Sequence, residues 1–497
     1  MNDLTSDIII IGAGITGCAV ARELSRYDAS VTVLEAGSDV AEGATKANSG
    51  IIHAGFDALP GSRKAYHNVR GAALYPKLCE DLGVGYRRCG ALVIALSEDE
   101  RRTIEELYER GIANGVEGMR IIERDEILKL EPGINPEVVC ALHATTSAIV
   151  SPYEVAFALA DDAAYNGVQF LTDQRVVSVK RDTDHYTVTT TDSEYTCKIL
   201  INCAGSFGAD IHNQISDNKL SMVHRRGQYY LLDRAEKLQF GRTIFQCPSK
   251  MGKGVLISPT LHGNLIIGPT AEDIDDPEDT ATTADGLADI IAKARRTWPQ
   301  LSVRTNITNF SGIRAHLTTG DFVIGRLDDV REASDAPKAY EAIGIESPGL
   351  SAAPSIAKEI CQLVLKDAAL TEKKDIKKYT RQGKSFHDMS AEERAEAVKR
   401  DPRYGNIICR CETVTEAEIR DAIRRPVGAR SIDAVKRRTR AGMGRCQGGF
   451  CSPRVAAIIS EETGIPLTEV TKNGGRSYLL TGTVEEYLKG GESDDRS

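Results

Sequence analysis

Near the start of the chain, the apolar run "DIIII" (7–11) breaks into "GAGITG" (12–17). It continues with the helical spacing of "CAVARELSRY" (18–27) and returns as the alternating "SVTVLE" (30–35). That order of patterns predicts strand, glycine turn, helix and strand, a βαβ unit opening a parallel sheet. From 151 to 205 a helical stretch, "PYEVAFALADDAAYNG", leads into "VQFL", "RVVSVK", "YTVTTT" and "KILINCAG", β-rich runs divided by polar turns. Residues 224–269 are again strand-like, rich in glycine and β-branched side chains. From 371 to 405 large apolar residues thin out among charges, which predicts a linker carrying one short helix. Beyond it, 406–487 reads as a small unit with its own cysteines, and 488–497 as a disordered tail. No repeat recurs at a fixed period.

A length of 497 residues exceeds one ordinary core and implies about two to four domains. Hydrophobic residues make up 41% and charged residues 27%, as in a soluble globular protein, and the net charge of -9 argues against a nucleic-acid surface. The opening "MNDLTSD" lacks a basic leader, and glycines break the following apolar run before it could span a bilayer. The expectation is a cytoplasmic protein without a transmembrane segment. In a reducing compartment the 12 cysteines do not build a disulfide framework. Eight are scattered as buried small side chains usually are, and four are clustered.

In "GAGITG", Gly12 suits the tight turn, Gly14 a close approach to pyrophosphate, and Gly17 tight packing of helix on strand. The helix N-terminus adds amide donors, and Glu35 ends the second strand where a carboxylate can accept hydrogen bonds from ribose hydroxyls. Together these predict a bound dinucleotide. The fingerprint serves FAD and NAD alike, and no second complete copy exists, so one dinucleotide must suffice.

Four further segments, "ATKANSGIIHAG" (44–55), "INCAGSFGADI" (201–211), "FSGIRAH" (310–316) and "IGIESPGLSAAPSIAKEI" (343–360), resemble in order and spacing the FAD-dependent glycerol-3-phosphate dehydrogenase and D-amino-acid oxidase-like superfamily. Within it, the likeness is to glycerol-3-phosphate dehydrogenases and oxidases and to L-2-hydroxyglutarate dehydrogenases. The resemblance implies FAD, and an FAD-dependent oxidoreductase over 1–370. FAD-binding parts are expected at about 1–80, 146–217 and 311–370, and parts of an interleaved β-rich substrate domain at about 81–145 and 218–310. Cofactor contacts are implied at Ser49, Gly50, Ala204, Gly205, Gly349, Leu350 and Ser351, beside Gly12, Gly14, Gly17 and Glu35. The helix starting near Gly349 could turn its amides toward the end of the flavin where negative charge grows. Oxidising a secondary alcohol needs a proton acceptor, and an anionic substrate needs a cation. By resemblance His53 holds the flavin-facing position and is the expected base, while Arg314 matches the arginine that binds phosphate or carboxylate. Lys250 and Lys253 are weaker expected substrate contacts, and Ser347 offers a hydroxyl or an amide.

Cys409 and Cys411 form C-x-C; after a gap of thirty-four residues Cys446 and Cys451 form C-x4-C. Four thiolates at such spacing suit zinc or an iron–sulfur cluster. "CRCETVTEAEIRDAI" and "TRAGMGRCQGGFCSPRV" resemble the two halves of the bacterioferritin-associated-ferredoxin-like [2Fe-2S] domain found at the C-terminus of the anaerobic glycerol-3-phosphate dehydrogenase large subunit. A [2Fe-2S] cluster is therefore expected, with structural zinc as the alternative. Thr415 and Glu418 read as a helix cap. Lys436, Arg437, Arg438, Arg440 and Arg445 read either as a cationic patch for an acidic redox partner or as a solvated run.

The expected fold class is α/β: a Rossmann-like FAD-binding domain with an interleaved β-rich substrate domain, plus a small helical four-cysteine domain. The expected activity is oxidation of sn-glycerol 3-phosphate, a small anionic hydroxy substrate, to dihydroxyacetone phosphate. Electrons would pass from FAD in pairs and leave singly through the cluster to an electron-accepting subunit or carrier, with peripheral attachment to the inner face of the membrane through that partner. The alternatives are an L-2-hydroxyglutarate or related 2-hydroxy-acid dehydrogenase, a flavin oxidase, and a redox-sensing or scaffold protein with a zinc module.

Overall fold

The apolar run at 7–11 becomes the middle of a parallel sheet. In this computed structural model, which describes residues 4–236, 240–248, 254–327, 336–379 and 384–485, strand β1 (Leu4–Ile11) lies between β2 (Val31–Leu34) and Glu194–Asn202. Gln169–Leu171 extends the sheet beyond β2, and Lys338–Ile343 extends it on the far side, all parallel. Antiparallel strands Val176–Arg181, Tyr186–Thr190 and Val323–Arg326 complete eight. Helix α1 (Ile15–Leu24) is almost wholly buried and packs on the helices Pro152–Tyr165 and Gly349–Asp367. The predicted βαβ unit is thus the centre of the first compact unit, Met1–Glu35 with Ala41–Thr380.

The same unit holds a nine-stranded sheet built from two separated stretches of sequence. Ala91–Ala95, Met119–Glu123 and Cys140–Ala144 join strands drawn from 222–274, with Asn306–Leu317 paired along Met222–Leu232. Both faces are apolar. Leu92, Ile94, Ile244, Ile257 and Ile267 enter one core with Trp298, while Ala91, Val93, Phe245, Leu256 and Ile266 enter another with Ile104 and Leu107. Burial on two sides explains why "ALVIA" and "LIIG" read as continuous apolar runs instead of alternating ones. The strand Asn306–Leu317, which the expected domain boundary at 310/311 divides, belongs whole to this sheet.

The second unit comprises Ala36–Val40 and Arg381–Ser497. Its helices Glu416–Arg424, Ile432–Thr439 and Ser452–Thr463 enclose Ile419, Ile423, Val435, Val455 and Ile459 beside the hairpin Ile407–Cys409/Val414–Thr415. The cap anticipated at Thr415 and Glu418 forms: Thr415 Oγ1 accepts from the Glu418 amide, and the Glu418 carboxylate accepts from the Thr415 amide.

The expected linker, 371–405, takes up defined structure at both ends. Lys373 Nζ donates to the carbonyls of Ser25 and Asn166, and the Lys377 amide donates to Asn166 Oδ1. Further on, helix Ala391–Arg400 carries a Ser390–Glu393 capping box, and Phe386, Ala397 and Tyr404 form a small core with Ala417. A few aromatic residues and capped lysines suffice where composition suggests solvation. The tail at 488–497 lies outside the described residues. No described helix is long and apolar enough to cross a membrane.

One buried ion cluster ties the two sequence pieces of the second unit. The Arg438 guanidinium donates to both Asp39 oxygens at 2.6 and 2.7 Å, and Arg437 Nη2 donates to Asp39 Oδ2 at 3.1 Å. Burial opposes ionisation of Asp39, but the two guanidinium groups outweigh it and hold the carboxyl below its ordinary range. Its contribution is therefore present above the unfolded carboxyl range of about 3.9 and is lost as pH falls through the depressed folded value. Asp39→Asn removes the buried carboxylate that the two guanidinium groups share and is expected to destabilise the second unit by about 3–5 kcal/mol. Chemical denaturation at neutral pH reads this; an unchanged midpoint would contradict it.

Candidate functional site

The glycine turn leaves no room for side chains. Gly12 has φ +96°, and a β-carbon there would stand 2.5 Å from the Cys203 carbonyl oxygen. A β-carbon at Gly17 would stand 1.9 Å from Gly12 O, so helix and turn meet only because both residues are glycine. Gly14 is the N-cap of α1. Glu35 Oε2 accepts from the Ala13 amide at 2.7 Å, bringing the carboxylate back onto the turn, and Thr45 Oγ1 accepts from the Ile15 amide at 2.9 Å. Next to Cys203, Asn202 Oδ1 accepts from the Ala204 amide, and Gly205 begins a short 3-10 turn at φ +57°. A cradle that any β-carbon would fill, with amides at a helix start and an acid at the second strand, fits a dinucleotide.

Ser49 and Gly50 lead into Ile51–Ile52, which pairs with Ala148–Val150 and carries His53 to its end. The His53 amide donates to Ser351 Oγ at 2.8 Å, the His53 carbonyl accepts from Asn68 Nδ2 at 2.7 Å, and its ring lies 5.7 Å from that of Phe245. Gly349 and Leu350 start the helix that bears Ser351, and the buried Tyr75 hydroxyl donates to Leu350 O at 2.6 Å. His53 and Gly349–Ser351, distant in sequence, thus share one hydrogen-bonded corner. Asn68 and Tyr75 were not anticipated; they sit on the helix Arg63–Leu82, whose sequence carries no catalytic pattern.

Arg314 lies on a face defined by strand register. Across from Phe310, Gly312 and Arg314 stand Tyr229, Gly227 and Arg225. Tyr229 and Phe310 stack at 4.9 Å. The Gly227/Gly312 pair leaves a gap: a β-carbon at Gly227 would meet Arg314 Nη2 at 2.7 Å, and one at Gly312 would meet Ala47 O at 2.0 Å. The guanidinium therefore folds back over Gly227, donates to Thr270 O at 3.1 Å and hydrogen-bonds the Tyr229 phenol. Burial raises the Tyr229 phenol above its ordinary range, and Arg314 pulls partly against that shift. Neighbouring arginines are neutralised: Arg225 makes a two-pronged contact with Asp273, and Arg226 is bonded to Glu272 and Asp279. Among the described residues, Arg314 is held by a carbonyl and a phenol and by no carboxylate. Ser347 is exposed beside Glu346; Lys250 and Lys253 lie outside the described residues.

In the second unit the four cysteines come together as two pairs. Cys411 Sγ lies 3.7 Å from Cys446 Sγ, and Cys451 hydrogen-bonds Cys409. Backbone amides surround the sulfurs: those of Gly442 and Glu412 point to Cys409, that of Cys446 to Cys411, and those of Phe450, Gly448 and Gly449 to Cys446. The bond from Cys451 is the main reason that the Cys409 thiol falls to about 6. At Cys446 burial opposes ionisation, but the amides and Cys411 outweigh it. Two sulfur pairs wrapped by amide donors fit two irons better than a single tetrahedral ion.

The basic run is not the cationic surface its sequence suggested. Arg437 and Arg438 are buried on Asp39, Arg440 Nε donates to Glu412 at 2.8 Å, and burial lowers the Lys436 pKa; only Arg445 is exposed. Inward helix positions decide this, and a charge count cannot see them.

A family model described as FAD dependent oxidoreductase (DAO) matches residues 7–363, and one described as BFD-like [2Fe-2S] binding domain matches 407–461. A glycerol 3-phosphate dehydrogenase of Caloramator mitchellensis is 46% identical over 97% of this chain and 100% of its own length. A solved structure of the dithionite-reduced L-α-glycerophosphate oxidase of Mycoplasma pneumoniae with FAD bound has a TM-score of 0.71 and 32% identity, covering 76% of this chain and 100% of that one. Bovine mitochondrial L-2-hydroxyglutarate dehydrogenase is 34% identical over 53% of this chain and 60% of its own. Geometry and family agree on the α/β class and on both cofactors, with the cluster in place of zinc. The chain belongs to the DAO family of FAD-dependent oxidoreductases and carries a BFD-like [2Fe-2S] domain after it.

Proposed function

We propose that this protein oxidises sn-glycerol 3-phosphate to dihydroxyacetone phosphate and delivers the electrons through its four-cysteine domain to a separate acceptor subunit or carrier on the way to quinone. The observation that carries the substrate half is Arg314, a half-buried guanidinium bonded to a carbonyl and a phenol while its neighbours are paired with carboxylates. Support for phosphate as the anion comes from the glycerol 3-phosphate dehydrogenase that matches across nearly the whole chain, cysteine domain included.

Arg314 holds the phosphate in a forked contact and thereby fixes the secondary hydroxyl. A His53 ring nitrogen takes the hydroxyl proton, and the bond from the His53 amide to Ser351 fixes the backbone that carries the ring. The first turn of Gly349–Asp367 directs its partial positive charge toward the same corner. When bound, FAD accepts electrons as a pair and the [2Fe-2S] cluster transfers them one at a time. Gly12, Gly14, Gly17, Glu35, Ser49, Gly50, Ala204, Gly205 and Gly349–Ser351 hold the former, and Cys409, Cys411, Cys446 and Cys451 the latter. The setting we infer is cytoplasmic, with any membrane contact made through the acceptor.

Steady-state rates with sn-glycerol 3-phosphate and L-2-hydroxyglutarate test the substrate. We expect kcat/KM to favour the phosphate ester, Arg314→Ala to cost about 2–5 kcal/mol in kcat/KM, and Arg314→Lys to recover part of it as a point charge without the fork. Preference for the hydroxy acid would transfer the protein to that substrate class, and an Arg314→Ala enzyme as active as wild type would remove the anion assignment. For the exit route, Cys446→Ser should leave bleaching of the flavin by substrate intact and stop electron delivery to a one-electron protein acceptor such as cytochrome c. Delivery at the wild-type rate would contradict it.

A further inference from the structure

The loop that wraps the outer cysteines leaves a phenylalanine in water. Cys409 and Cys451 are buried, Cys446 is half-buried and Cys411 is exposed, so the Cys411/Cys446 pair forms the outer edge of the cluster site. Between Cys446 and Cys451 the chain turns through two left-handed residues, Gln447 at φ +47° and Gly448 at φ +88°. That turn brings the amides of Gly448, Gly449 and Phe450 onto Cys446, which ties the Phe450 backbone to an outer sulfur. Its side chain is 86% exposed, more than any other large apolar side chain among the described residues.

Isolated apolar side chains are ordinary on protein surfaces. Position and company set Phe450 apart. Arg410 stands between Cys409 and Cys411, Arg445 directly precedes Cys446, and Arg454 follows Phe450 by four residues in the helix Ser452–Thr463; all three are exposed. Arg454 donates to Ile407 O at 3.3 Å and to Asn406 Oδ1 at 2.9 Å, both uncharged, which lays it against the strand that carries Cys409. Over 407–413 and 441–455 the only carboxylate is Glu412, which is buried and accepts from Arg440. The outer sulfurs therefore sit in a locally cationic face on a chain whose net charge is -9.

We propose that Phe450, flanked by Arg410, Arg445 and Arg454, is the docking face for a separate one-electron acceptor protein that is acidic around its own redox centre. Phe450 enters an apolar pocket of that partner, and the arginines meet carboxylates on its rim, as an aromatic anchor inside a polar border does. Seated there, the acceptor lies against the Cys411/Cys446 edge. Each visit moves one electron from the reduced cluster to the acceptor, so two acceptors are reduced for each substrate oxidised. The assignment rests on the reading of the four-cysteine domain as the electron exit.

Rubredoxin, an acidic one-electron carrier, and cytochrome c, a basic one, are the probes for wild-type, Phe450→Ala, Arg410→Glu/Arg445→Glu and Cys446→Ser holoenzymes. Affinity is measured by calorimetry between fully oxidised proteins, where no electron moves, and delivery by initial rates with sn-glycerol 3-phosphate. Wild type should favour rubredoxin, and added salt should weaken its use of rubredoxin while improving its use of cytochrome c. Phe450→Ala should weaken rubredoxin binding and lower kcat/KM for it by about 10-fold or more, with the cluster's EPR signal and flavin bleaching retained. The double charge reversal should slow rubredoxin and speed cytochrome c, a pair of changes that a damaged cluster loop would not produce. Rubredoxin bound and reduced at wild-type levels by both variants overturns the proposal, as does a wild type that favours cytochrome c. A wild-type dimer that Phe450→Ala dissociates in sedimentation would give the face to a second copy and overturn it too. If Cys446→Ser delivers electrons at the wild-type rate, the exit route falls and the docking face with it; if Cys446→Ser alone stops delivery, only the docking face is misassigned.

Discussion

The corner that carries His53 depends on contact between backbones. A β-carbon at Gly71 would stand 2.1 Å from the Ser351 carbonyl oxygen, so the helix Arg63–Leu82 lies directly against the first turn of Gly349–Asp367. At that distance Tyr75 reaches Leu350 O, Ser351 Oγ reaches the His53 amide, and Asn68 reaches the His53 carbonyl. Any side chain at 71 would force the helices apart, with loss of the bonds that fix where the loop ends. Gly12 and Gly17 repeat the device at the nucleotide turn, where the obstacle is again a carbonyl oxygen. A preorganised corner costs no rearrangement when substrate arrives, which is where such a site gains over the same groups in water.

Charge is distributed with similar economy. Arg225, Arg226, Arg437, Arg438 and Arg440 each have a carboxylate within hydrogen-bond reach, whereas Arg314 has a phenol and a carbonyl. Sequence shows only that these residues are arginines. The pairing follows from strand register, which sets Asp273 opposite Arg225, and from the Gly227/Gly312 gap, over which Arg314 turns away from its own rung.

Legibility in the sequence followed the range of the signal. The βαβ opening and the cap at Thr415 and Glu418 rest on patterns a few residues long and read correctly. The interleaved sheets were accessible only through family resemblance, because the pairing of 91–95 with 243–246 leaves no local trace. The structure at 386–404 and the burial of Arg437 and Arg438 were missed for one reason: composition treats charged stretches as solvated, and a few inward-facing side chains or one distant aspartate reverse that. Glu346 and His316 both lie within segments that carry the family resemblance, 343–360 and 310–316, yet their contact spans thirty residues and becomes visible only when strand and helix are placed.

The central claim is a path from a phosphorylated secondary alcohol through flavin to the four-cysteine domain. Its most direct test is an anaerobic titration of the holoenzyme with sn-glycerol 3-phosphate, following flavin absorbance and the low-temperature EPR spectrum together. Bleaching of the flavin, with the signal of a reduced [2Fe-2S] cluster rising in step, is the result this account predicts. Flavin that stays oxidised in excess substrate would contradict the substrate, and bleached flavin beside a silent cluster would contradict the path.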